Sequence, residues 1–585
     1  MEANEVRVLI IALVLSVVSG CSVHISEDVP IEMRDGINLM ADVYLPPGRG
    51  PFPVILTRIP YGTKSEYVFQ PAVGNFFAEN GFAYVSQNVR GRFGSEGKFS
   101  AYINDQEIPD AYDTIDWIVS QEWSNGIVGV MGESYYGHTT LAAAASGHSA
   151  IKAISAANTT LAREKRVLDG AYPLQSSGLW TLEMDDTENG QYQDTEDIDL
   201  YHLPLITMGN AHGLRDVVWR EWVSGYLDDT ADKQARALEY YGKIQVPALY
   251  FGGWYDTYTR GTIAIWEGVK LYSGSEDATE MQWLVMGPWD HESMSINMSG
   301  VEAPTKIGER DIGTAAVSTY EEMLLEFFTY FLKREDNGFI DLPRVMYFNI
   351  GENDWRYGEK WPPKESRLHS LFFHSEGNAA LPHDGLLDFV PPKDEPADSY
   401  AYNPINPVTI TDGIDIWRRA AGMTDRSVLL GRDDVLSYET YPLLDDIDIT
   451  GPISVEIYAS SSVPDTDFTA ALVDVYPDGY SLLIQEGILR ASFRDKDTEP
   501  SSLEPGEIYT IVIDLWATSY TVPAGHKLRV EISSSNFPRF ARNLNNGEPF
   551  GTSDQVKVAK QTIYHSKQYP SRLVLPIMKT ESHIN

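Results

Sequence analysis

The sequence predicts an α/β domain that carries a helical insertion and is followed by a separate β domain. Three observations lead to this prediction. Up to about residue 158, short apolar runs alternate with helix-like stretches, which is typical of a parallel sheet covered on both faces. Between about residues 160 and 243 the chain is helix-like and acidic, with no convincing strand. From about residue 353, short alternating strands separated by Gly, Pro and Asp turns indicate an antiparallel sandwich or jelly roll.

The α/β domain is predicted to begin with a β-hairpin, because Asp35 and Gly36 form a two-residue turn between two apolar segments. Buried strands are predicted wherever a short apolar run is bounded by turn residues. These runs cover residues 54–57, 83–87, 127–131, 151–156, 247–252 and 281–286. Helices are predicted over residues 69–79, 105–120, 139–146 and 319–333, and in the second of them apolar residues recur every three or four positions.

The insertion contains Trp180, Trp219 and Trp222 and falls where a cap over a site would lie. In the β domain, strands are predicted over residues 453–459, 468–475, 509–516 and 527–533. The predicted organisation begins with a signal segment over residues 1–21 and a first part of the α/β domain over residues 22–158. A helical cap over residues 159–244, a second part of the α/β domain over residues 245–352 and a jelly roll over residues 353–585 follow.

The N-terminus resembles the signal of a prokaryotic lipoprotein. Residues 8–18 form an apolar stretch that is too short to span a bilayer, and Ser19 and Gly20 precede Cys21, the single cysteine of the chain. We therefore predict export across the cytoplasmic membrane and lipidation of Cys21, at the cell surface or in the periplasm. The segment before the apolar stretch departs from this pattern because it lacks net positive charge, and an ordinary secretory signal remains the alternative.

The chain is strongly acidic, with 84 Asp and Glu residues against 45 Lys and Arg residues and a formal net charge of −39. This balance argues against nucleic acid or an anionic membrane surface as a partner, since both require clustered basic residues. It fits either a saline habitat or merely a soluble acidic surface. The acidic clusters at residues 228–229 and 446–448 lack a complete set of calcium ligands, so no metal or other cofactor is predicted.

Residues 132–137, Gly-Glu-Ser-Tyr-Tyr-Gly, are the most informative segment of the sequence. They lie between a predicted buried strand and a predicted helix. A serine at a sharp strand-to-helix turn is held in a strained backbone with its hydroxyl exposed beside helix N-terminal amides. Ser134 is therefore a candidate nucleophile, although the pattern alone fits an ordinary loop serine equally well.

A serine needs a histidine base that is oriented by a carboxylate, and the sequence places both at the ends of later strands. Asp256 follows the strand predicted over 247–252, and His291 follows the strand predicted over 281–286. The carboxyl ends of strands are where sites gather in open α/β sheets. Asp290 is better explained as a loop cap. Other histidines are weaker candidates because of their predicted places, namely His138, His148, His202, His212 and His526.

The developing oxyanion also needs hydrogen-bond donors. The backbone N–H of Tyr135 is one candidate, because it belongs to the residue after the nucleophile. Tyr61 follows an earlier strand in the place where a second donor usually arises. A buried tyrosine that packs under its loop is the alternative explanation for Tyr61.

These motifs resemble those of the CocE/NonD hydrolases, a group that includes cocaine esterase, α-amino acid ester hydrolases and glutaryl-cephalosporin acylases and is related to X-Pro dipeptidyl-peptidases. The resemblance covers nearly all of the mature chain. It is carried by residues 58–62, 89–97, 132–137, 253–256, 287–291, 525–530 and 534–540. It implies an α/β-hydrolase fold with a C-terminal jelly roll, Ser134 as nucleophile, His291 as base and Asp256 as acid. It also implies that the Tyr61 hydroxyl joins the Tyr135 amide in the oxyanion hole.

Two positions depart from the group's pattern. Asn88 stands where an aspartate is usual before Arg90-Gly91, and we expect it to alter a supporting hydrogen bond rather than the chemistry. Tyr258 and Thr259 stand where α-amino acid ester hydrolases have acidic residues that bind the substrate ammonium. Selectivity for α-amino esters is therefore not expected.

The sequence thus predicts a serine hydrolase that cleaves small-molecule acyl esters or amides through an acyl-enzyme. One alternative is an exopeptidase that releases X-Pro dipeptides, which would require an acidic pair to capture a free amino terminus. Another is a surface polysaccharide-binding protein with an inert hydrolase domain, although no triad position is substituted. The sequence does not indicate an oligomeric state.

Overall fold

A ten-stranded sheet forms the centre of the N-terminal half of the protein. The computed structural model describes residues 22–578 apart from 66–67, 102–105, 162–166, 186–191, 226–237, 292, 295–303, 382–383, 410–421 and 496–498. The proposed signal segment and Cys21 lie outside the described residues, so export and lipid anchoring stay predictions.

The strands of the first sheet lie in the order β1-β2-β4-β3-β5-β6-β7-β8-β11-β12. The seven strands from β4 to β11 in this order are parallel, whereas β1, β2 and β12 are antiparallel to their neighbours. The bounds are β1 His24–Glu32, β2 Asn38–Leu45, β3 Phe52–Ile59, β4 Ala83–Asn88, β5 Ser124–Glu133, β6 Ile151–Ala157, β7 Ala248–Gly253, β8 Gln282–Gly287, β11 Val345–Asn349 and β12 Asp354–Gly358. The two short strands β9 Lys306–Ile307 and β10 Arg310–Asp311 pair with each other.

The helices of this half of the protein are α1 Gln70–Glu79, α2 Glu107–Ser120, α3 Ser134–Ala145, α4 Leu179–Glu183, α5 Met208–Ala211, α6 Val217–Ser224, α7 Thr259–Tyr272, α8 Glu276–Glu280 and α9 Tyr320–Phe328. Two π-helical turns, Leu174–Gly178 and Thr329–Lys333, precede α4 and follow α9. Short 3₁₀ turns occupy Leu205–Thr207, Thr314–Ala316, Phe339–Asp341, Ser427–Leu429 and Ala491–Phe493. In the described part of the chain, no helix is both long and apolar enough to cross a membrane.

Apolar side chains cover both faces of the first sheet, as the run of apolar strands predicts. Phe77 of α1 and Phe328 of α9 belong to one buried cluster with Phe251 of β7. On the opposite face, Ile115 of α2 and Leu141 of α3 are fully buried in a second cluster. The expected doubly covered α/β sheet is therefore confirmed.

The C-terminal half forms a second, eleven-stranded β structure, which confirms the predicted β domain. Its strands are β13 Ser366–His374, β14 Gly385–Asp388, β15 Asp398–Tyr402, β16 Leu436–Glu439, β17 Ile447–Ser461, β18 Asp467–Val475, β19 Ser481–Arg490, β20 Tyr509–Val522, β21 Lys527–Ser533, β22 Ala559–Tyr564 and β23 Arg572–Met578. They lie in the order β15-β22-β17-β23-β13-β14-β16-β21-β18-β19, with β20 paired to β17. All pairs are antiparallel except β14 with β16.

The first sheet extends past the domain boundary that the sequence suggested at residue 353. Strand β11 pairs in parallel with β8, and β12 then closes the edge as an antiparallel hairpin. Trp355 of β12 explains this extension, because its ring packs against Phe348 at 5.5 Å and against Trp289 at 5.7 Å between ring centroids. Residues 354–358 therefore belong to the α/β sheet.

The insertion between β6 and β7 rests on the β domain. The Ala541 amide donates to the Tyr172 carbonyl at 2.9 Å, and the Ile206 amide donates to the Gly551 carbonyl at 3.0 Å. The described part of the insertion consists of short helical segments joined by loops, and it contacts the β domain.

A buried carboxylate in the β domain makes the stability of the fold depend on pH. Asp398 is fully buried and accepts hydrogen bonds from the Ser375 and Tyr438 hydroxyls and the Ala379 amide, each at 2.8 Å, and it lies 2.8 Å from Nε2 of His565. Burial alone would raise its pKa, but the hydrogen bonds from His565, Ala379 and Tyr438 outweigh burial and hold the pKa below 3.8. The unfolded chain has a carboxyl pKa of about 3.9. The ionised form therefore stabilises the fold above about pH 4, and this contribution is lost as the pH falls through the lower folded pKa.

We expect Asp398→Ala to lower the free energy of unfolding at pH 7 by about 3–5 kcal/mol, because it leaves several buried donors without an acceptor. Thermal unfolding at pH 7 and pH 3 should show that the difference in Tm between variant and parent shrinks at the lower pH. Asp478→Ala, in an exposed turn, is the control. An undiminished difference at pH 3 would contradict the assignment of the effect to the ionised carboxylate.

Candidate active site

The three side chains predicted as a triad all follow the carboxyl ends of parallel strands in one sheet. Ser134 follows β5 directly, Asp256 lies three residues after β7, and His291 lies four residues after β8. These ends meet at the same edge of the sheet, where sites of open α/β sheets lie. Each residue therefore lies where its strand position predicts.

Ser134 has a strained backbone at the junction between β5 and α3. Its φ is +54°, in the left-handed region that non-glycine residues rarely occupy. Such a conformation costs about 1–3 kcal/mol and persists only where its surroundings hold it. The Thr159 hydroxyl contributes by donating to the Ser134 carbonyl at 2.7 Å.

Two glycines make this sharp turn possible. A β-carbon on Gly132 would lie 2.1 Å from the carbonyl oxygen of Tyr136, and one on Gly137 would lie 2.8 Å from Cβ of Thr159. The first turn of α3 thus approaches β5 and the loop after β6 more closely than any side chain allows. The glycines of the motif are explained by this packing.

Asp256 and His291 form a hydrogen-bonded pair. Oδ2 of Asp256 bonds to Nδ1 of His291, and its Oδ1 accepts from the Tyr258 amide at 2.5 Å. Asp256 is fully buried, whereas the His291 side chain is 9% exposed. An imidazole that donates through Nδ1 has Nε2 left as the nitrogen that can accept a proton. The Tyr258 ring packs edge-on against the imidazole, with centroids 5.5 Å apart.

Close backbone packing brings the loops that carry this pair together. A β-carbon on Gly253 would lie 2.1 Å from the Trp289 carbonyl oxygen, and one on Gly287 would lie 2.3 Å from the Trp289 ring. The Tyr255 amide donates to the same Trp289 carbonyl at 3.1 Å. The Gly-Trp-Tyr-Asp and Gly-Pro-Trp-x-His segments therefore act as one packed unit that holds Asp256 beside His291.

Tyr61 presents its hydroxyl to Ser134. Its side chain is buried, and the hydroxyl accepts from Nε1 of Trp180 at 3.1 Å and lies close enough to the Ser134 side chain to interact with it. Burial raises the pKa of Tyr61 far above its ordinary value of 10, so the phenol keeps its proton. A neutral phenol beside the serine can donate a hydrogen bond to an oxyanion.

The side chain of Tyr135 anchors the backbone next to Ser134. Its ring is fully buried and stacks on Trp180 with centroids 5.8 Å apart, and its hydroxyl donates to Oε1 of Glu107 at 3.3 Å. Burial raises the pKa of Glu107, although the Arg58 guanidinium, 2.8 Å from the carboxylate, opposes the shift. Sequence reasoning missed both Trp180 and Glu107 as contacts of the site. Only the tryptophan content of the insertion hinted at the first.

The two departures from the family pattern also have structural consequences. Asn88 accepts from the Thr63 amide at 3.1 Å and donates to the Phe93 carbonyl at 3.2 Å, and a carboxylate in its place could not donate. Tyr258 packs on the imidazole of His291, and the buried Thr259 hydroxyl donates to backbone carbonyls of Gly253 and Asp256. Neither Tyr258 nor Thr259 offers a carboxylate to a substrate ammonium.

The competing residues have other contacts. His148 bonds to Asp116 at 3.0 Å, and His526 bonds to Asp474 at 2.8 Å. His202 and His212 pack against each other in the insertion, and the buried His138 packs against the Tyr135 ring. Oδ1 of Asp290 accepts from the Ser293 amide, as a loop cap does. Within the described residues, no group of three or more His, Cys, Asp or Glu side chains could hold a metal ion.

Comparisons with known proteins identify two family models along the chain. Residues 35–293 match the X-Pro dipeptidyl-peptidase (S15 family) model, and residues 337–574 match the X-Pro dipeptidyl-peptidase C-terminal non-catalytic domain. The first match includes Tyr61, Ser134, Asp256 and His291. The second covers most of the β domain.

Individual relatives match over almost the whole chain. Cocaine esterase of Rhodococcus sp. (strain MB1 Bresler) is 32% identical over 95% of this chain and 99% of its own. A solved α-amino acid ester hydrolase has a TM-score of 0.78 at 25% identity and covers 98% of this chain and 100% of its own. An aminopeptidase from the marine sediment archaeon Thaumarchaeota archaeon has a TM-score of 0.82 at 23% identity, over 96% of this chain and 97% of its own, which shows a shared fold.

Gly132→Ala should abolish ester hydrolysis, because the added β-carbon collides with a backbone carbonyl that cannot move without shifting the first turn of α3. The measurement is the initial rate with a p-nitrophenyl ester, together with the Tm. Gly274→Ala is the matched control, since a β-carbon there meets nothing within 4 Å. Full activity of Gly132→Ala would show that the close approach is not needed.

Proposed function

The chain belongs to the CocE/NonD family of S15-type serine hydrolases, and we propose that it cleaves small-molecule acyl esters or amides through an acyl-enzyme formed on Ser134. The observation that carries this proposal is the buried Asp256–His291 pair, which lies at the same sheet edge as a serine in a strained strand-to-helix turn.

In the first half of the reaction, Oγ of Ser134 attacks the carbonyl carbon and Nε2 of His291 takes the hydroxyl proton. Asp256 keeps the imidazole in the tautomer that accepts at Nε2 and stabilises the imidazolium that forms. The imidazolium then gives its proton to the leaving alcohol or amine. In the second half, water attacks the acyl-enzyme with His291 as base, and the acid and Ser134 are released.

The oxyanion formed in each half receives two hydrogen bonds in this proposal. One comes from the Tyr135 amide, next to the nucleophile, and the other from the Tyr61 hydroxyl. The protonated state of Tyr61 and the proximity of its hydroxyl to Ser134 support this role. Trp180 orients the phenol because its indole N–H occupies an acceptor position of the Tyr61 oxygen.

Aromatic side chains around the triad favour an apolar acyl or aryl substrate. Tyr136 packs edge-on against Tyr61 with centroids 6.3 Å apart, and Trp222 packs against Trp180 at 6.2 Å. The relative at 32% identity is a cocaine esterase, whose name also denotes ester hydrolysis. The absence of a carboxylate at Tyr258 and Thr259 argues against substrates with a free α-ammonium group.

Ser134→Ala should abolish hydrolysis of a small p-nitrophenyl ester and covalent labelling by a fluorophosphonate, because it removes the hydroxyl that His291 is proposed to activate. Ser146→Ala, at the C-terminal end of the same helix, should keep both. Full labelling of Ser134→Ala would refute the nucleophile assignment. Faster hydrolysis of Ala-Pro-p-nitroanilide than of the ester would instead identify the chain as an X-Pro exopeptidase, the activity that names its family models.

Tyr61→Phe should lower kcat by about 10²-fold, the usual loss when one oxyanion donor is removed, with a smaller change in KM. Trp180→Phe should lower kcat by about 2–10-fold, because it removes only the hydrogen bond that orients the phenol. Tyr192→Phe is the control for both variants, because the Tyr192 hydroxyl donates to the backbone carbonyl of Tyr61, at 2.8 Å, and not to its phenol. Unchanged kcat in Tyr61→Phe would remove Tyr61 from the oxyanion hole.

A further inference from the structure

A cavity of about 360 Å³ lies between the insertion and the β domain. It exceeds the roughly 150 Å³ that holds benzene in an apolar protein cavity and falls within the range of small-ligand sites. Ser134, Asp256, His291 and Tyr61 do not line it. Its walls combine polar groups with an apolar part formed by Leu174, Leu200 and Leu205 from the insertion and Phe493, Phe537 and Phe550 from the β domain.

Arg542 contributes a positive charge to the wall of this cavity. Its Nη1 donates to the Pro404 carbonyl at 3.0 Å and its Nη2 to the Tyr201 carbonyl at 2.8 Å. The guanidinium also packs against the rings of Tyr201 and Phe537, at 4.8 and 5.2 Å from their centroids. Among the described residues, no carboxylate forms an ion pair with it, although the exposed Asp199 lies near enough to act on its charge.

This arrangement leaves a cation with unused donors. A guanidinium has five N–H donors and stays charged at any ordinary pH, and two neutral carbonyls cannot compensate that charge. The chain has almost twice as many acidic as basic residues, 84 against 45, so a carboxylate partner is not scarce. Burial lowers the pKa of Arg542, and the nearby acidic groups, Asp199 among them, do not offset this effect.

The other charged groups that line the cavity are Arg490, Asp465 and Glu548. Arg490 forms an ion pair with Asp467, to which it donates two hydrogen bonds of 2.8 and 3.1 Å. Asp465 accepts from the Ser492 amide and the Asn543 side chain, each at 3.0 Å, and its carboxylate lies 3.8 Å from Nε of Arg490. Glu548 is exposed at the rim. Among the described residues, Arg542 is therefore the cation of the lining that has no carboxylate in an ion pair with it.

We propose that this cavity binds a small amphipathic carboxylate, with its apolar body between the leucines and phenylalanines and its carboxylate on Arg542. The carboxylic acid that an ester hydrolase releases has this chemistry, as has any free fatty or aryl-alkyl acid taken from solution. The proposal concerns binding alone and holds whether or not Ser134 is the nucleophile.

The test is calorimetric titration of the full chain with 4-phenylbutyrate, 4-phenyl-1-butanol and 4-phenylbutylamine, which share one apolar body. We expect the carboxylate to bind at least tenfold more tightly than the alcohol, and the amine to bind weakest. Arg542→Gln should weaken 4-phenylbutyrate about 10–100-fold, as expected for loss of a charge-assisted hydrogen bond, and leave the alcohol nearly unchanged. Arg432→Gln is the matched control, because the Arg432 guanidinium pairs with Asp434 and Arg432 does not line the cavity.

Leu200→Trp is a second variant, for the case that Arg542→Gln weakens the packing of the insertion on the β domain. Leu200→Trp places an indole in the cavity from the insertion side and keeps Arg542, so it should weaken binding of 4-phenylbutyrate at least tenfold. Unchanged affinity in Leu200→Trp would place the ligand elsewhere and overturn the proposal. Equal affinity for the carboxylate and the alcohol would overturn the role of Arg542, and absence of binding by all three compounds would overturn the site.

Discussion

The active-site geometry depends on two places where backbone packs on backbone with no room for a β-carbon. At Gly132 the strand approaches the Tyr136 carbonyl, and at Gly253 the loop after β7 approaches the Trp289 carbonyl. The first contact fixes the turn that carries Ser134, and the second fixes the loops that carry Asp256 and His291. Because a carbonyl in a helix or a packed loop cannot move as a side-chain tip can, both positions admit only glycine. The packing of the backbone therefore positions the proposed catalytic side chains independently of their own hydrogen bonds.

Full burial of Asp256 makes its hydrogen bonds obligatory. An ionised carboxylate removed from water is costly unless its oxygens are bonded, and here the Tyr258 amide and the His291 ring occupy one oxygen each. The imidazole is held between this carboxylate and the Tyr258 ring, so its plane and its tautomer are set together. Tyr258 thus provides both a backbone donor and a packing surface at the position where relatives selective for α-amino esters would need an acid.

The sequence was sufficient for the parts of the structure that strand periodicity and turn chemistry determine. The apolar runs correctly predicted each central strand from β3 to β8. The order of the motifs correctly predicted that Ser134, Asp256 and His291 follow the ends of strands. No helix was predicted where α7 lies, although its first residue, Thr259, comes only three residues after Asp256. The sequence also placed a boundary inside the β11–β12 hairpin, since the ring contacts of Trp355 are non-local. Contacts between the insertion and the rest of the chain, including Trp180 with Tyr61, depend on tertiary packing that no local pattern encodes.

The position of Trp180 makes the insertion part of the proposed reaction centre rather than a cover over it. A phenol oxygen has one proton and two acceptor positions. Because the Trp180 indole occupies one acceptor position of Tyr61, the phenol proton is turned away from the insertion and towards the side on which Ser134 lies. Burial keeps that proton in place at any pH at which an imidazole can act as a base. The same indole stacks on the Tyr135 ring, so one side chain of the insertion contacts both residues that are proposed to bind the oxyanion. A change in the packing of the insertion on the β domain would therefore reach the proposed oxyanion donors through Trp180.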